Sequence, residues 1–287
     1  MTLSGTTRIL GIFGDPVAHT LSPLMQNAAL RQTGIDAVYV PFHVKAEELG
    51  DAVRALRVLN IWGVNVTVPH KEAVCEWLDE VDAEARLIGA VNTIANRNGR
   101  LVGFNTDATG FLRSLRQDLN FDPCSKKILL LGAGGACRAA LVALGQEGAR
   151  HIHVANRTPE RAEALVQEFA AVFQKTRLDY SGLDSDALRV AAKDLDLVVN
   201  SSAVGLKGEA FTALPWQSFG PEVAVYDMVY ALQGTPLVRA ALEKGLRAVG
   251  GQGMLVCQGE EAFSIWTGRK SPDGVMKTAL DEKMNVS

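Results

Sequence analysis

Residues 127–165, "KILLLGAGGACRAALVALGQEGARHIHVANRTPERAEAL", give the clearest indication of the fold. An apolar run of strand length is followed by glycines, a helical pattern, a second apolar run and a second helix that begins at Thr158-Pro159. The glycine motif therefore lies between a strand and a helix, where a dinucleotide fingerprint has to lie. This context predicts a parallel βαβ unit that binds a nucleotide.

Each position of the glycine turn has its own structural role. Gly132 permits the tight turn, Gly134 lets the backbone approach a pyrophosphate, and the helix from Gly135 offers free N–H groups to it. Cys137 occupies the third position of GxGxxG, where a small residue still allows close helix packing. The alternative is a glycine turn that binds no ligand. The candidate contacts in this turn are Gly132, Ala133, Gly134, Gly135 and Ala136.

The second strand of this unit ends without the carboxylate that usually bonds the ribose hydroxyls of NAD. Asn156, Arg157 and Thr158 stand there instead, and Arg161 follows within one helical turn. Guanidinium groups bind phosphate through a planar, charge-assisted fork, so the two arginines favour NADP over NAD. A compatible and plainer interpretation is a helix capped by Thr158, with both arginines solvated.

Strand and helix patterns continue on both sides of this unit. "RILGIFG", "AVYVPFHV" and "IWGVNVTV" precede it, "LDLVVNSS" and "VAVYDMVY" follow it, and two helical patterns end the chain. This rhythm predicts an α/β fold of two domains with mostly parallel sheets. Asn98-Gly99, between two strand-like arms, predicts a tight antiparallel hairpin in the first half.

Composition narrows the class of protein. The 287 residues are 47% hydrophobic and carry a net charge of −3, which predicts real cores but no nucleic-acid or anionic-membrane partner. The first residues lack a signal-type pattern, and no apolar run reaches the roughly 18 residues of a membrane span. The four cysteines are scattered without metal-ligand spacing. We therefore expect a cytoplasmic protein with reduced thiols and no bound metal.

A polar edge follows one predicted strand, in "VNVTVPHK". Asn65 and Thr67 share one side of the strand, opposite the valines. Pro69 is expected to open a helix and to place Lys71 in its first turn, against the positive end of the helix dipole. That position suits a general acid or base. The ordinary alternative is an exposed lysine.

Two further polar residues flank the predicted hairpin. Asn92, in "GAVNT", precedes its first arm, and Asp107, in "FNTDATG", follows its second arm. A hairpin brings these two ends together. Asp107 either pairs with Lys71 or caps the helix that follows it, and the sequence leaves both roles open.

Eight motifs carry a resemblance to a known family. "HTLSP", "NVTVPHK", "GAVNT", "NTD", "GAGGA", "NRT", "YDMVY" and "GQGMLVCQ" occur in the order found in shikimate dehydrogenases, and the resemblance spans nearly the whole chain. It implies NADP-linked interconversion of shikimate and 3-dehydroshikimate, with hydride transfer at the C3 carbonyl, Lys71 as acid/base and Asp107 as its partner. The substrate contacts it implies are Thr20, Ser22, Thr67, Lys71, Asn92, Asp107, Tyr230 and Gln258. Beyond the glycine turn, the cofactor contacts it implies are Asn156, Arg157, Thr158, Arg161, Met228 and Gly251.

The polar stretch "NFDPCSKK" separates the two halves and predicts a domain boundary near residues 118–126. We therefore expect a substrate-binding catalytic domain over residues 1–120 and a Rossmann-like NADP domain over 121–250. The resemblance implies that the C-terminal helices, over 251–287, pack on the first domain. A homodimer is among the expected states. Asn65 is expected to support the residues that contact the substrate without contacting it itself. Met228 and Tyr230, two residues apart, are expected to share one face of a strand.

Two features resemble other members of the family. Thr20 stands where many members carry serine, and "AFSIWTGRKSP" resembles members that accept quinate, often with NAD. A quinate/shikimate dehydrogenase with broader substrate and cofactor use is therefore one alternative. A regulatory paralogue that binds NADP(H) without turnover is another, but a sensor has no need of both Lys71 and Asp107.

Overall fold

The computed structural model describes residues 3–231 and 233–285, and these residues form two six-stranded sheets. The chain divides into two units, each with one of the sheets. The first unit takes residues up to Gly110 and from Leu255 onward, and the second is Phe111–Met254. The predicted α/β class is confirmed.

The sheet of the first unit is mixed. Its strands are β1 (Arg8–Gly14), β2 (Ala37–His43), β3 (Gly63–Val66), β4 (Glu80–Val81), β5 (Thr93–Arg97) and β6 (Arg100–Phe104). They lie in the order β2-β1-β3-β5-β6-β4, with antiparallel pairing from β3 to β5 and from β5 to β6. Asn98 and Gly99 have positive φ between β5 and β6, so the predicted hairpin is present.

The sheet of the second unit is parallel throughout. Its strands are β7 (Lys127–Leu131), β8 (His151–Ala155), β9 (Arg177–Ser181), β10 (Leu197–Asn200), β11 (Ala224–Asp227) and β12 (Arg247–Val249). They lie in the order β12-β11-β10-β7-β8-β9. The strand order reverses between β7 and β10, and ligands of open α/β sheets bind at such a switch point.

Helices connect these strands. They are α1 (Ser22–Thr33), α2 (Leu49–Val58), α3 (Ala83–Ile88), α4 (Asp107–Leu119), α5 (Gly135–Gln146), α6 (Pro159–Ala170), α7 (Ser185–Ala191), α8 (Pro236–Glu243), α9 (Gln252–Thr267) and α10 (Val275–Asn285). Apolar spacing explains their packing: in α2, Leu49, Val53 and Leu56 recur at i, i+4 and i+7 and are buried in one core cluster with β3. No helix in the described ranges has both the length and the apolar character needed to cross a membrane.

The C-terminal residues from Leu255 onward belong to the first unit. Trp266 of α9 is 1% exposed and donates from its indole Nε1 to the carbonyl oxygen of Ile94 at 2.9 Å. Gly63 makes this possible, because a Cβ there would collide with the indole of Trp266. In addition, α10 packs against α1.

The prediction of a helix that begins at Pro69 is wrong. The chain turns after β3, and the amide of His70 donates to the carbonyl oxygen of Thr67 at 3.0 Å. His70 is buried and donates from its imidazole Nε2 to the carbonyl oxygen of Val44 at 2.7 Å, which anchors the turn. A short 3-10 helix forms only at Ala73–Trp77. Lys71 therefore precedes the helical segment, and the helix-dipole argument does not apply to it.

Candidate functional site

Lys71 and Asp107 form a sheltered ion pair in the first unit. The Nζ atom of Lys71 lies 2.7 Å from Oδ2 of Asp107, and the two side chains are only 16% and 6% exposed. A pair so withdrawn from water holds its geometry better than an exposed pair, because fewer water molecules compete for its hydrogen bonds. The interpretation of Lys71 as an ordinary exposed lysine is wrong.

Asp107 is free for this pairing because another residue caps its helix. Asp107 is the first residue of α4, and the side-chain oxygen of Asn105 accepts from the amides of Asp107 at 3.0 Å and of Ala108 at 3.4 Å. The amide nitrogen of Asn105 donates to the carbonyl oxygen of Ala90 at 2.9 Å. The capping role considered for Asp107 therefore belongs to Asn105, which sequence analysis passed over.

Asn65 is fully engaged by other protein groups. Its side-chain oxygen accepts from the Tyr39 hydroxyl at 2.7 Å, and its amide nitrogen donates to Thr93 Oγ1 at 3.0 Å and to the carbonyl oxygen of Asn92 at 3.2 Å. Burial raises the pKa of the Tyr39 phenol well above its usual value, against a lowering by a hydrogen bond with Ser22. Tyr39 thus stays a hydrogen-bond donor and fixes the orientation of the Asn65 amide.

Asn92 continues this network toward the ion pair. Its side-chain oxygen accepts from the amide of Thr106 at 2.8 Å and from Thr93 Oγ1 at 3.0 Å. Its amide nitrogen donates to Thr106 Oγ1 at 2.9 Å. Thr106 directly precedes Asp107, so the predicted meeting of Asn92 and Asp107 at the base of the hairpin is present in the structure.

The remaining candidates of the first unit lie on three separate segments. Ser22 is buried at the start of α1, and its amide donates to Thr20 Oγ1 at 3.3 Å. Thr67, half-buried beyond the end of β3, donates from its amide to the carbonyl oxygen of Phe13 at 2.9 Å. Gln258, on α9, donates from Nε2 to the carbonyl oxygen of Leu255 at 2.7 Å.

Gly110 holds Gln258 close to the first turn of α4. A Cβ at position 110 would lie 2.8 Å from the Cβ of Gln258 and 2.9 Å from its backbone nitrogen. Only a glycine lets the two helices approach this closely. Gly110 lies one turn after Asp107, so Gln258 is brought to the same end of α4 as the ion pair.

The glycine turn of the second unit occupies the switch point of its sheet. Gly132 has φ +121°, and a Cβ there would lie 3.1 Å from both Ser201 Oγ and the backbone of Ser202, which follow β10. Gly134 is different, because a Cβ there would meet nothing within 4 Å. Packing within the protein therefore does not require glycine at 134, and open space remains in front of the start of α5.

Cys137 fills the third position of the fingerprint without disturbing it. The side chain is fully buried on α5, and burial raises the pKa of its thiol to about 12. A neutral thiol is a small apolar group, which explains why it serves for close packing of α5 on the sheet. Within the described ranges all four cysteines are free thiols.

The end of β8 presents the two arginines to solvent. Arg157 and Arg161 are exposed, and neither guanidinium forms an ion pair with any residue that the structure describes. Asn156 donates from its side-chain amide to the carbonyl oxygen of Thr158 at 2.9 Å. Thr158 stands at the N-cap of α6 and Pro159 at its first position, but the Thr158 side chain makes no capping hydrogen bond, so that predicted role is wrong.

Met228 and Tyr230 lie beyond the end of β11, not on it. The strand ends at Asp227, so the argument from alternating strand faces is wrong for these two residues. Both are half-buried. Gly251 contacts this segment, because its amide donates to the carbonyl oxygen of Val229 at 3.1 Å and a Cβ there would collide with the carbonyl of Met228.

A buried carboxylate next to this segment escaped sequence analysis. Asp227 is 0% exposed and accepts from Thr235 Oγ1 at 2.6 Å, from Asn200 Nδ2 at 2.8 Å and from the amide of Val229 at 3.0 Å. Burial raises the pKa of its carboxyl to about 6, and these hydrogen bonds oppose the rise. The carboxylate thus fixes the backbone that leads into Met228. An aspartate in the otherwise apolar strand "VAVYD" was the available signal.

Comparison with known proteins places these two halves in one family. Residues 12–94 match the shikimate dehydrogenase substrate binding domain, residues 115–205 match shikimate / quinate 5-dehydrogenase, and residues 251–280 match the shikimate 5'-dehydrogenase C-terminal domain. The shikimate dehydrogenase (NADP(+)) of Geobacter metallireducens is 49% identical over 277 residues, which cover 96% of this chain and 97% of that protein. The chain belongs to the shikimate dehydrogenase family.

Solved structures of this family have the same fold. Shikimate 5-dehydrogenase from Thermus thermophilus, in complex with NADP(H) and shikimate, aligns with a TM-score of 0.83 at 39% identity over 96% of this chain and 99% of that chain. Shikimate 5-dehydrogenase from Listeria monocytogenes, in complex with shikimate and NAD, aligns with a TM-score of 0.87 at 33% identity over 98% of both chains. The family resemblance found in the sequence is confirmed.

Proposed function

We propose that the protein catalyses the reversible, NADPH-dependent reduction of 3-dehydroshikimate to shikimate. This reaction serves chorismate and aromatic amino-acid biosynthesis in the shikimate pathway. The observation that carries the proposal is the sheltered pair of Lys71 and Asp107, with 2.7 Å between Nζ and Oδ2. The names of the relatives support the same reaction.

The ion pair carries out the proton transfer. Reduction of a carbonyl to a hydroxyl requires one hydride at carbon and one proton at oxygen, and NADPH supplies the hydride. Lys71 gives the proton from its ammonium to the C3 oxygen, and in the reverse direction its amine takes that proton from the hydroxyl. Asp107 holds the lysine Nζ in one position, so that the proton is aimed at a single atom.

Hydroxyl and amide groups of the protein bind most of the substrate. A polyhydroxylated carboxylate needs several oriented partners in a site with little water. The substrate contacts we propose are Thr20, Ser22, Thr67, Lys71, Asn92, Asp107, Tyr230 and Gln258. The network through Tyr39 and Asn65 supports this role for Asn92, because the amide nitrogen carries two N–H groups and one of them is satisfied by Thr106.

The residues of the second unit fit NADP. The open space at Gly134 leaves room for a pyrophosphate at the first amides of α5, and two unpaired guanidiniums at the end of β8 suit a 2′-phosphate. The cofactor contacts we propose are Gly132, Ala133, Gly134, Gly135, Ala136, Asn156, Arg157, Thr158, Arg161, Met228 and Gly251. Contact of Gly251 with the Met228 carbonyl supports grouping these two residues.

Three organisational expectations belong to the same proposal. We assign residues 1–120 to substrate binding and catalysis, 121–250 to NADP binding, and 251–287 to helices that complete the first part. The two units and the three family matches support this division. A cytoplasmic location is supported by the free cysteines. A homodimer is the third expectation, and sedimentation equilibrium tests it.

A quinate/shikimate dehydrogenase that uses NAD is the second candidate. Thr20 favours it, since the methyl group of a threonine reshapes the pocket that a serine would leave. A steady-state matrix of shikimate and quinate against NADP and NAD distinguishes the two. We expect the highest kcat/KM for shikimate with NADP. The highest kcat/KM for quinate with NAD would overturn the assignment, and binding of NADP(H) without turnover of either substrate would indicate a regulatory protein.

A further inference from the structure

A cluster of two histidines and one aspartate lies on the second unit, outside the residues proposed for catalysis. His151 and His153 are two apart on β8 and share one face of the sheet, and Asp179 on β9 is the register partner of His153. One nitrogen of each imidazole and one carboxylate oxygen all lie within 4.8 Å of one another. We propose that His151, His153 and Asp179 form a binding site for a divalent transition-metal ion of the zinc class.

The donor set selects the class of ion. Imidazole nitrogens suit zinc, copper, nickel and cobalt, whereas calcium and magnesium prefer sites made of oxygen atoms. Ligands about 2.1 Å from a shared tetrahedral ion lie roughly 3.4 Å from each other, so closure from 4.8 Å requires only small side-chain rotations. Three protein ligands leave one position for water.

His151 has a nitrogen whose hydrogen-bonding capacity is unused. Its side chain is 13% exposed, and Nε2 is buried without a hydrogen-bond partner among the described residues. Oδ2 of Asp179 lies 2.9 Å from this nitrogen, a contact that becomes an ion pair only when the ring is protonated. A buried polar atom left in this state costs free energy, and a metal ion bound between the ring and the carboxylate removes that cost.

His153 is held in a tautomer that suits a ligand. The hydroxyl of Ser181 donates to the carbonyl oxygen of Gly182 at 2.9 Å, so it accepts from Nε2–H of His153 at 2.8 Å. This assignment leaves the lone pair of the ring on Nδ1. A hydroxyl that holds the second ring nitrogen is the arrangement that orients metal-bound imidazoles.

Metal ions bind imidazole in its neutral form, and burial disfavours the charged form of both rings. Burial lowers the pKa of His153 to about 4 and also lowers the pKa of His151. In both rings the Asp179 carboxylate opposes the shift, and the cations Lys127 and Arg177 add to it. Lys127 donates to the carbonyl oxygen of Lys193 at 2.5 Å, whereas Arg177, which is 72% exposed, pairs with the Asp179 carboxylate at 2.8 Å. An exposed pair of this kind contributes little, so a metal ion can displace Arg177 at small cost.

A metal ion at this site would stabilise the edge strand β9. β9 is the outermost strand of the parallel sheet next to β8, and its sequence is mostly polar. A metal bound by both strands links them through side chains as well as through the backbone ladder. Binding to the folded state alone then raises the melting temperature.

Calorimetric titration of the metal-stripped, tag-free protein with Zn²⁺ tests the proposal, and Co²⁺ absorption reports the ligand set. We expect one ion per chain and a rise in Tm. His153→Gln and Asp179→Asn each should weaken Zn²⁺ binding by at least about tenfold, since even the groups that hydrogen-bond to metal ligands contribute that much. Asp179 is a third exposed, so its variant should fold even where the His153 variant does not.

Two control variants complete the design. His43→Ala removes an exposed histidine that pairs with Asp15 at 2.7 Å, and Cys124→Ser removes an exposed thiol. Both should bind Zn²⁺ as the wild type does. Absence of saturable binding in the wild type would overturn the proposal, as would equal affinity in the wild type and Asp179→Asn, or loss of binding in Cys124→Ser.

Discussion

Oδ2 of Asp107 lies 2.7 Å from Nζ of Lys71, and the carboxylate is 6% exposed. The two residues come from different segments: Lys71 follows β3 in a turn, and Asp107 begins α4. The turn is anchored by buried His70, and the start of α4 is capped by Asn105. The backbone on both sides is therefore fixed independently of the ion pair, which lets the pair serve chemistry and not only folding.

Replacement of Asp107 by asparagine tests whether the carboxylate positions the lysine. The variant keeps the shape of the side chain but loses the charge that attracts the ammonium. We expect kcat for shikimate oxidation to fall by about tenfold or more, because a loosely held proton carrier loses part of the usual benefit of acid–base catalysis. Asp51→Asn, at an exposed position on α2, should retain the wild-type rate. Equal rates for all three enzymes would refute the positioning role.

Replacement of Gly134 by alanine separates cofactor binding from folding. A Cβ there meets no protein atom within 4 Å, and φ is −110°, so Tm should stay within about 2 °C of the wild type. The methyl group would occupy the space proposed for the pyrophosphate. We expect NADP to bind at least tenfold more weakly, a loss of about 1.4 kcal/mol or more, by fluorescence titration. Unchanged affinity would show that the cofactor does not approach Gly134, and Gly220→Ala is the control.

Replacement of Arg157 by alanine tests the choice between the two nicotinamide cofactors. A charge-assisted bond to the 2′-phosphate is available only with NADP. We expect KM for NADP to rise by about tenfold or more, and KM for NAD to stay nearly constant. Arg189→Ala, exposed on α7 of the same unit, should change neither constant. Losses of equal size for both cofactors would mean that Arg157 does not bind the 2′-phosphate.

Asp227 should give stability a characteristic pH dependence. Burial raises the pKa of its carboxyl from 3.8 to about 6 in the folded state. Because the folded pKa is above the unfolded one, its stabilising contribution is complete below the unfolded pKa and is lost as pH rises through about 6. The loss is on the order of 3 kcal/mol for a pKa difference of this size.

Urea unfolding of the wild type and of Asp227→Asn at a series of pH values measures this contribution. Asparagine does not titrate, so the difference in free energy of unfolding between the two proteins should shift against the wild type from about pH 4 to pH 7. Asp186→Asn, at an exposed position, is the matched control and should parallel the wild type. A constant difference between wild type and Asp227→Asn over this range would show that the carboxyl titrates normally.

Local patterns predicted the elements that are specified by neighbouring residues. The glycine turn before α5 and the Asn98-Gly99 hairpin each depend on a few adjacent residues with strong backbone preferences. The sequence also indicated the pairing of Lys71 with Asp107 as one of two possible roles for Asp107, which follows the second arm of the predicted hairpin.

Other features depend on partners that are distant in sequence. β9 was missed because "RLDYS" is too polar to be recognised as a strand, and only its pairing with β8 gives it order. The Pro69 helix was a wrong prediction because the anchor of the turn, His70, bonds to Val44, 26 residues away. Asp227 gains its role through Asn200 and Thr235, which no local pattern links to it.

The role of Lys71 as the proton carrier is best tested by the rate of the Lys71→Ala enzyme, measured with saturating shikimate and NADP. We predict a fall in kcat of about a hundredfold or more, the usual cost of losing a positioned acid–base group, with Tm and NADP affinity preserved. Lys45→Ala, which removes an exposed lysine of the same unit, should retain the full rate. A Lys71→Ala enzyme with the kcat of the wild type would show that Lys71 is not the acid–base group.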